Sequence, residues 1–355
     1  MAGYPETAGE VRVAYEELRA GVARVFSACR MSEPDAHLLA DTLAWADLRG
    51  IHSHGVLRVP DYVRKFTHGG VDPCGRPRVV QERTAAIVVD GGNAMGQIAA
   101  HFAMERAIEG ARGAALAMAV VRGSNHCGAM AYYAMQALAR DMIGVCATNA
   151  LPTMAPWGGL DKIVGINPLA VAIPTRDELP VVLDCAFSYS SHGKIRVFHQ
   201  KGSPIPSTWA FDKDGQPTTD ASAAIEGLLQ PIGEYKGVGL GVVFGLLSTV
   251  LSGASYGTAL GNMIDGPRSG HDGHFFLAID IAAFDDPQQV KLRADAAVRQ
   301  IRESRKAQGA EALYAPGGLE AEIEARYRRE GIPLNAVTLE ALRRVANELS
   351  VPGPV

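Results

Sequence analysis

Three observations predict an α/β or α+β layer protein whose ends are helical and whose middle is sheet-rich. Both ends carry apolar residues at helical spacing between capping signals. From about residue 79 the texture changes to short apolar runs broken by Gly, Pro and Asn, as strands require. Helical stretches alternate with those runs, the mixed order of a layered domain. In order, residues 9–49 predict two amphipathic helices. The second opens at Ser32-Glu33-Pro34-Asp35, a capping residue with proline in the first turn, and closes at Arg49-Gly50, where glycine suits a helix end. A third helix is expected from near Ser53 through Val56, Val59, Val63 and Phe66 to Gly69-Gly70. Strands are expected at 85–90, 115–121, 143–148, 169–174 and 181–184, with helices near 97–112 and 129–140. Pro204, Pro206, Gly215 and Pro217 mark a loop region before a small-residue helix at 238–253. A strand at 275–281 follows, then Asp285-Asp286-Pro287 caps a helix to about Gln308, and further helices are expected near 317–330 and 338–349. This pattern groups 1–75 with 285–355 in a helical domain and leaves 76–284 as the α/β domain.

Composition narrows the function. A chain of 355 residues suggests two domains or three. Its 34 basic and 38 acidic residues give a net charge of −4, with 47% hydrophobic and 20% charged residues. Those values describe a folded enzyme and leave neither the signature of disorder nor a nucleic-acid footprint. The charged stretch near 299–306 reads as a solvated helix face. The longest weakly polar run, Gly239 to Leu251, is shorter than the roughly 20 residues a membrane helix needs. The opening MAGYPETAGE lacks the basic and apolar regions of a secretory signal, so no membrane association is expected. Five cysteines, without a CxxC pair, argue against a disulfide framework or structural zinc and point to the cytoplasm.

The familiar cofactor fingerprints are missing. The nearest to a dinucleotide GxGxxG is Gly239-Leu-Gly-Val-Val-Phe-Gly245, whose spacing better fits close helix packing. What stands out is Arg49-Gly-Ile-His52-Ser53-His54-Gly55-Val-Leu-Arg58. On a helix beginning near Ser53, His54 and Arg58 would share one face. A guanidinium grips a carboxylate in a fork, and an imidazole can exchange the proton of the adjacent carbonyl or hydroxyl oxygen. The same residues also fit a capped helix start with a surface arginine. A second cluster, Arg122-Gly-Ser-Asn-His126-Cys-Gly128, follows a strand, where binding residues and structural histidines are both common. Asp184 ends the run Val181-Val-Leu-Asp and fits either a carboxylate that orients a histidine or a turn initiator. Lys236, in Pro231-Ile-Gly-Glu-Tyr-Lys-Gly, could hold a phosphate beside a helix start or sit on a solvated turn. His271-Asp-Gly-His274 lacks the carboxylates of a metal site, and no metal is expected. A metal-dependent hydrolase built on His52, His54, His126 and His274 is the alternative from another class.

Taken in order, RGIHSHGVLRVPDY, SNHCGAMAYY, INPLAVAIP, VVLDCAFS, PIPSTWAFDKDG, PIGEYKGVGL and GHFFLAID resemble the malate/L-lactate dehydrogenase type 2 family along nearly the whole chain. The resemblance implies a non-Rossmann fold with a mixed, mostly antiparallel sheet domain and a helical domain formed by both chain ends. It implies an NAD- or NADP-dependent oxidoreductase acting on a small carboxylate such as malate, lactate, sulfolactate or ureidoglycolate, or alternatively on a cyclic imine acid. It also implies a homodimer with active sites near the interface. Carried over, His54 is similar to the acid–base residue, partnered by Asp184. Arg58, beside Ser53, is similar to the carboxylate clamp, and His126 is a further catalytic or substrate-contacting residue. Asp184, Cys185, Ala186, Lys236 and the Gly273-His274-Phe275 turn resemble cofactor contacts. Ala150 and Pro316-Gly317-Gly318-Leu319 depart from the common pattern at positions that bear on the cofactor's ribose and phosphates.

Overall fold

A computed structural model of the chain describes residues 10–261 and 270–354. The chain begins with β1 (Val11–Val13), α1 (Tyr15–Ala28) and α2 (Glu33–Leu48), and after two 3-10 turns at His52–His54 and Val56–Arg58 continues into α3 (Val59–Thr67). The central part runs β2 (Arg78–Arg83), β3 (Ala86–Asp90), α4 (Gly96–Ala114), β4 (Leu116–Ser124), α5 (Ala131–Ala134) and β5 (Met142–Thr148). It continues through β6 (Pro152–Met154), β7 (Val164–Gly165), β8 (Leu169–Ile173), β9 (Val181–Cys185), α6 (His192–Gln200), β10 (Ala210–Phe211), α7 (Ala221–Glu226) and β11 (Leu228–Leu229). Then come α8 (Tyr235–Thr249), β12 (Asp272–Asp280), α9 (Pro287–Arg302), α10 (Gly318–Glu330), β13 (Ile332–Leu334) and α11 (Ala336–Glu348).

Seven strands form one sheet in the order β2-β3-β4-β12-β5-β8-β9. Only the β3–β4 pairing in it is parallel, so the sheet is mixed and mostly antiparallel, as expected. β12 lies at its centre, with Phe276 opposite both Ala119 and Cys146. One face buries α4, whose Ala99, Ala103, Ala107 and Ala111 let helix and sheet approach closely. On the other face Phe244 and Leu247 of α8 pack against Val120, Ala147 and Phe275.

A second core joins the two chain ends. Leu18, Val22 and Phe26 of α1 and Leu39 and Leu43 of α2 pack with Tyr62 and Phe66 of α3 and with Leu339, Leu342 and Val345 of α11. β1 closes the ends by pairing antiparallel with β13, Val11 opposite Leu334.

Several expectations need correction. The helix expected from Ser53 is broken at Gly55, whose extended backbone (φ −88°, ψ −155°) separates the two 3-10 turns. The stretch 129–140 holds one α-helical turn followed by a 3-10 turn at Met135–Arg140. The helix expected to reach Gln308 ends at Arg302, and it is fastened to the sheet as well as joined to the C-terminal part. Its fully buried Asp295 accepts the backbone N–H groups of Arg176, Asp177 and Glu178 in the β8–β9 turn. β1, β13, the exposed and highly charged β2, and α6 went unread. The glycines at 241 and 245 do serve close packing of α8, against Gly165 and Asn167 respectively. Among the described residues, no helix is long and apolar enough to cross a membrane.

Gly96 opens α4 directly against the chain that follows β4: a Cβ there would collide with the carbonyls of Asn125 and His126. Gly96→Ala is therefore expected to lower stability by about 1–3 kcal/mol through overpacking. The check is a urea titration in which the midpoint falls while the slope stays constant.

Candidate active site

The first turn of the site is shaped by one buried carboxylate. Asp47, near the end of α2, is 2% exposed and accepts from the Val56 N–H at 2.7 Å and from His52 Nδ1 at 2.6 Å. A Cβ at Gly55 would collide with that same carboxylate. Of the two histidines in the motif, His52 thus faces inward to Asp47, while His54 reaches the cavity. The turn also places the Ser53 carbonyl to accept from Arg58 Nε at 2.8 Å, which fixes the arginine side chain.

His54, Arg58 and His126 line one cavity of about 280 Å3, although they come from two distant segments. The rings of His54 and His126 stack, 5.6 Å apart and inclined by 12°. His54 Nδ1 meets Ser53 Oγ at 3.0 Å. His126 is held by a buried chain: Gln97 Nε2 donates to Tyr62 Oη at 3.0 Å, and Tyr62 Oη meets His126 Nδ1 at 2.6 Å. When Tyr62 donates in that bond a neutral His126 carries its proton on Nε2, and when Tyr62 accepts the proton is on Nδ1. Enclosure, followed by the charge of Arg58, lowers His54 from its ordinary value to about 3. Enclosure lowers His126 as well, with His54, Arg58 and His274 adding to the effect. Both rings are therefore neutral at pH 7 in the free protein.

The other predicted site residues lie elsewhere. The Asp184 carboxylate accepts from the Ala131 N–H at 2.8 Å, so it anchors the start of α5 and is not brought to either cavity histidine. Cys185 closes β9 with Ala186 just beyond, and Lys236 is exposed in the first turn of α8. His274 is fully buried, bonded through Nδ1 to Thr148 Oγ1 at 2.7 Å and through Nε2 to Ser124 Oγ at 2.8 Å. It pins the ends of β4 and β5, from which two cavity walls continue, and burial lowers its value to about 3. Gly273 binds Asn149 through its N–H, at 3.0 Å, and through its carbonyl. Phe275 packs on the α8 face of the sheet. None of the residues expected to contact cofactor lines this cavity. The four histidines of the hydrolase alternative do not converge, because His52 and His274 have their own buried partners.

The cavity also holds residues that the sequence reading passed over. Tyr62 and Lys65 follow Arg58 on α3 at four and seven residues, a helical spacing that could have revealed them. Lys65 stands across from Asp272, whose carboxyl is pushed up to about 7 by its enclosure and drawn down by the lysine. His192 and Arg196 come from α6. Two buried polar atoms on the lining, Thr153 Oγ1 and His192 Nε2, have no hydrogen-bond partner among the described residues. Unpaired buried polar groups cost stability, so the cavity is built for a polar occupant.

A family model for malate/L-lactate dehydrogenase matches residues 13–343. The malate dehydrogenase of Pyrococcus horikoshii is 34% identical over 351 residues, covering 97% of each chain. The solved structure of that enzyme superposes with a TM-score of 0.91 at 32% identity, over 99% of this chain and 100% of that one. The L-sulfolactate dehydrogenase of Methanothermobacter thermautotrophicus is 33% identical over 341 residues, covering 96% of this chain and 98% of that one. The delta1-piperideine-2-carboxylate reductase of Pseudomonas syringae superposes with a TM-score of 0.84 at 29% identity, over 95% of this chain and 100% of that one. With a family model spanning nearly the whole chain, and with the fold in agreement, the protein belongs to the malate/L-lactate dehydrogenase family of oxidoreductases.

Proposed function

We propose that the protein transfers a hydride between NAD or NADP and C2 of a small 2-oxo or 2-hydroxy acid. The observation that carries this reading is the convergence of Arg58 and two stacked, neutral histidines in one cavity. Arg58, oriented by the Ser53 carbonyl, holds the substrate carboxylate through its forked N–H groups and so fixes the neighbouring carbon. His126 exchanges the proton at the C2 oxygen through Nε2: in oxidation the bare Nε2 accepts it while Nδ1–H donates to Tyr62 Oη, and in reduction the imidazolium, which has taken its extra proton from solvent, returns it. Tyr62 then turns its own proton toward Gln97, whose amide oxygen has no hydrogen-bond partner among the described residues and meets it once the amide rotates. His54 stays neutral beside it, since two stacked imidazolium rings next to Arg58 would repel. The unpaired Thr153 hydroxyl fits the carboxamide of a nicotinamide, and the exposed first turn of α8 with Lys236 fits its phosphates. When bound, the nicotinamide supplies or accepts the hydride. A cyclic imine acid offers the same carboxylate beside C=N, and the likeness to a piperideine-carboxylate reductase supports that second reading.

Two features support the wider setting. Leu240, Val243, Leu246 and Val250 leave an exposed apolar face on α8, which suits a homodimer. All five cysteines are unpaired, which suits the cytoplasm.

Steady-state kinetics with 2-oxo acids and imine acids test the chemistry. His126→Asn is expected to lower kcat by about 10²–10⁴-fold while cofactor affinity changes little. His54→Asn should cost less, and the opposite order would give the proton-transfer role to His54. Arg58→Lys should raise KM about tenfold or more, because an ammonium cannot make the forked contact. The free protein should also show a characteristic pH dependence. His54, His126, His192 and His274 all resist protonation when folded. Between pH 6.5 and about 4 the unfolded chain therefore binds protons that the folded chain refuses, and stability falls as pH falls. Asp272, raised by its enclosure to about 7, and Asp184, raised by burial to about 6, act in the opposite sense, but the four histidines outnumber them. Thermal midpoints measured over this range should drop, and less steeply in His54→Asn.

A further inference from the structure

One wall of the cavity has no part in the chemistry above. α6 is capped by Ser191, whose Oγ accepts from the Lys194 N–H at 3.1 Å, and it turns His192 and Arg196 toward the cavity, one helical turn apart. Between them, Gly193 lies against the carboxylate clamp: a Cβ there would sit 2.5 Å from the Arg58 guanidinium and 3.0 Å from Ser53 Cβ. The two side chains thus line the cavity on either side of the residue that packs against Arg58. His192 Nε2 is sealed from solvent and has no hydrogen-bond partner among the described residues. Arg196 meets Asp61 Oδ2 at 3.3 Å, the same oxygen that Arg58 meets at 3.4 Å. Two guanidinium groups share one carboxylate oxygen at long distance, which leaves each with N–H donors for another anion. Across the cavity Lys65 and Asp272 already answer each other's charge.

Building on the oxidoreductase reading, we propose that His192 and Arg196 form a subsite for a second anionic group of the substrate. The protein then selects small 2-oxo or 2-hydroxy acids that carry a further carboxylate or a sulfonate. Arg58 binds the carboxylate beside the reacting carbon. Arg196 binds the distal anion through its free N–H groups, and the otherwise unpaired His192 Nε2–H completes the contact. A monoanionic acid would leave that histidine nitrogen and the spare N–H donors of Arg196 without an acceptor, which is how a polar site rejects a ligand lacking the matching group.

The test compares oxaloacetate, 3-sulfopyruvate and 2-oxobutyrate as substrates with NADH and NADPH, and calorimetric binding of succinate against butyrate in the presence of each oxidised cofactor. Wild-type protein should favour the dianion at least tenfold in kcat/KM and in Kd, and the preferred oxo acid identifies carboxylate or sulfonate as the distal group. Arg196→Gln should lower both ratios tenfold or more, Arg196→Lys should retain part of them, and His192→Asn should reduce them to a smaller extent. Loss of a purely structural contact to Asp61 would disturb Arg58 for all acids alike, so an unchanged dianion-to-monoanion ratio in Arg196→Gln overturns the subsite. If the wild type reduces none of the oxo acids, the 2-oxo-acid reading of the function fails separately. The subsite then stands or falls on the succinate-to-butyrate ratio, and a ratio near one refutes it.

Discussion

The cavity depends on the Asp47 carboxylate. One oxygen accepts a backbone N–H and the other a histidine, and the group fills the space beside Gly55 that a side chain would need. Burying a carboxylate is costly unless its oxygens find partners, and here those partners are the turn itself. The chain between Ile51 and Val59 is therefore folded around the anion. This explains why two histidines separated by a single residue have different roles: the first neutralises the anchor, and the second is left for the cavity. It also explains how Arg58 comes to be held by a carbonyl only five residues back.

A second constraint comes from the sheet. His274 on the central strand bridges Ser124 and Thr148, the last residues of the strands on either side. The loops beyond those residues carry His126 and Asn149 into the cavity wall. Asp184 steadies the same region from another side by holding the start of α5. The two loops are in this way tied to the sheet by hydrogen bonds, those of His274 fully buried, the support that a site of defined geometry requires.

Much of this was legible in the sequence, for physical reasons. The central strands announce themselves because burial on both faces demands short apolar runs, and α2 and α9 because capping side chains, Ser32 and Asp286, stand at their starts. His54, Arg58 and His126 are legible as candidates because a guanidinium close in sequence to an imidazole, and a histidine just past a strand end, suit carboxylate and proton-transfer chemistry. The continuous helix expected after Ser53 failed because its interruption depends on Asp47, a tertiary contact that no local pattern encodes. β1 and β13 are three residues each and gain their strand character only from pairing across the molecule. The cavity role of His192 and Arg196 was illegible for a similar reason: a capped helix start is a common feature, and its contact with Arg58 exists only in space. Asp184 looked like a histidine's partner because its position at a strand end suits either role, and the backbone of Ala131 claimed it.

The pairing of β1 with β13 also governs the order in which the molecule can be assembled. α3, the platform of Arg58, rests on a core completed by α11, so one half of the substrate pocket waits for residues more than 250 positions later in the chain. The sheet and α4 hold their own core, which is complete once the central strand β12 has joined β4 and β5. A chain without α11 would hold the strands and His126 yet lack a firm seat for the arginine.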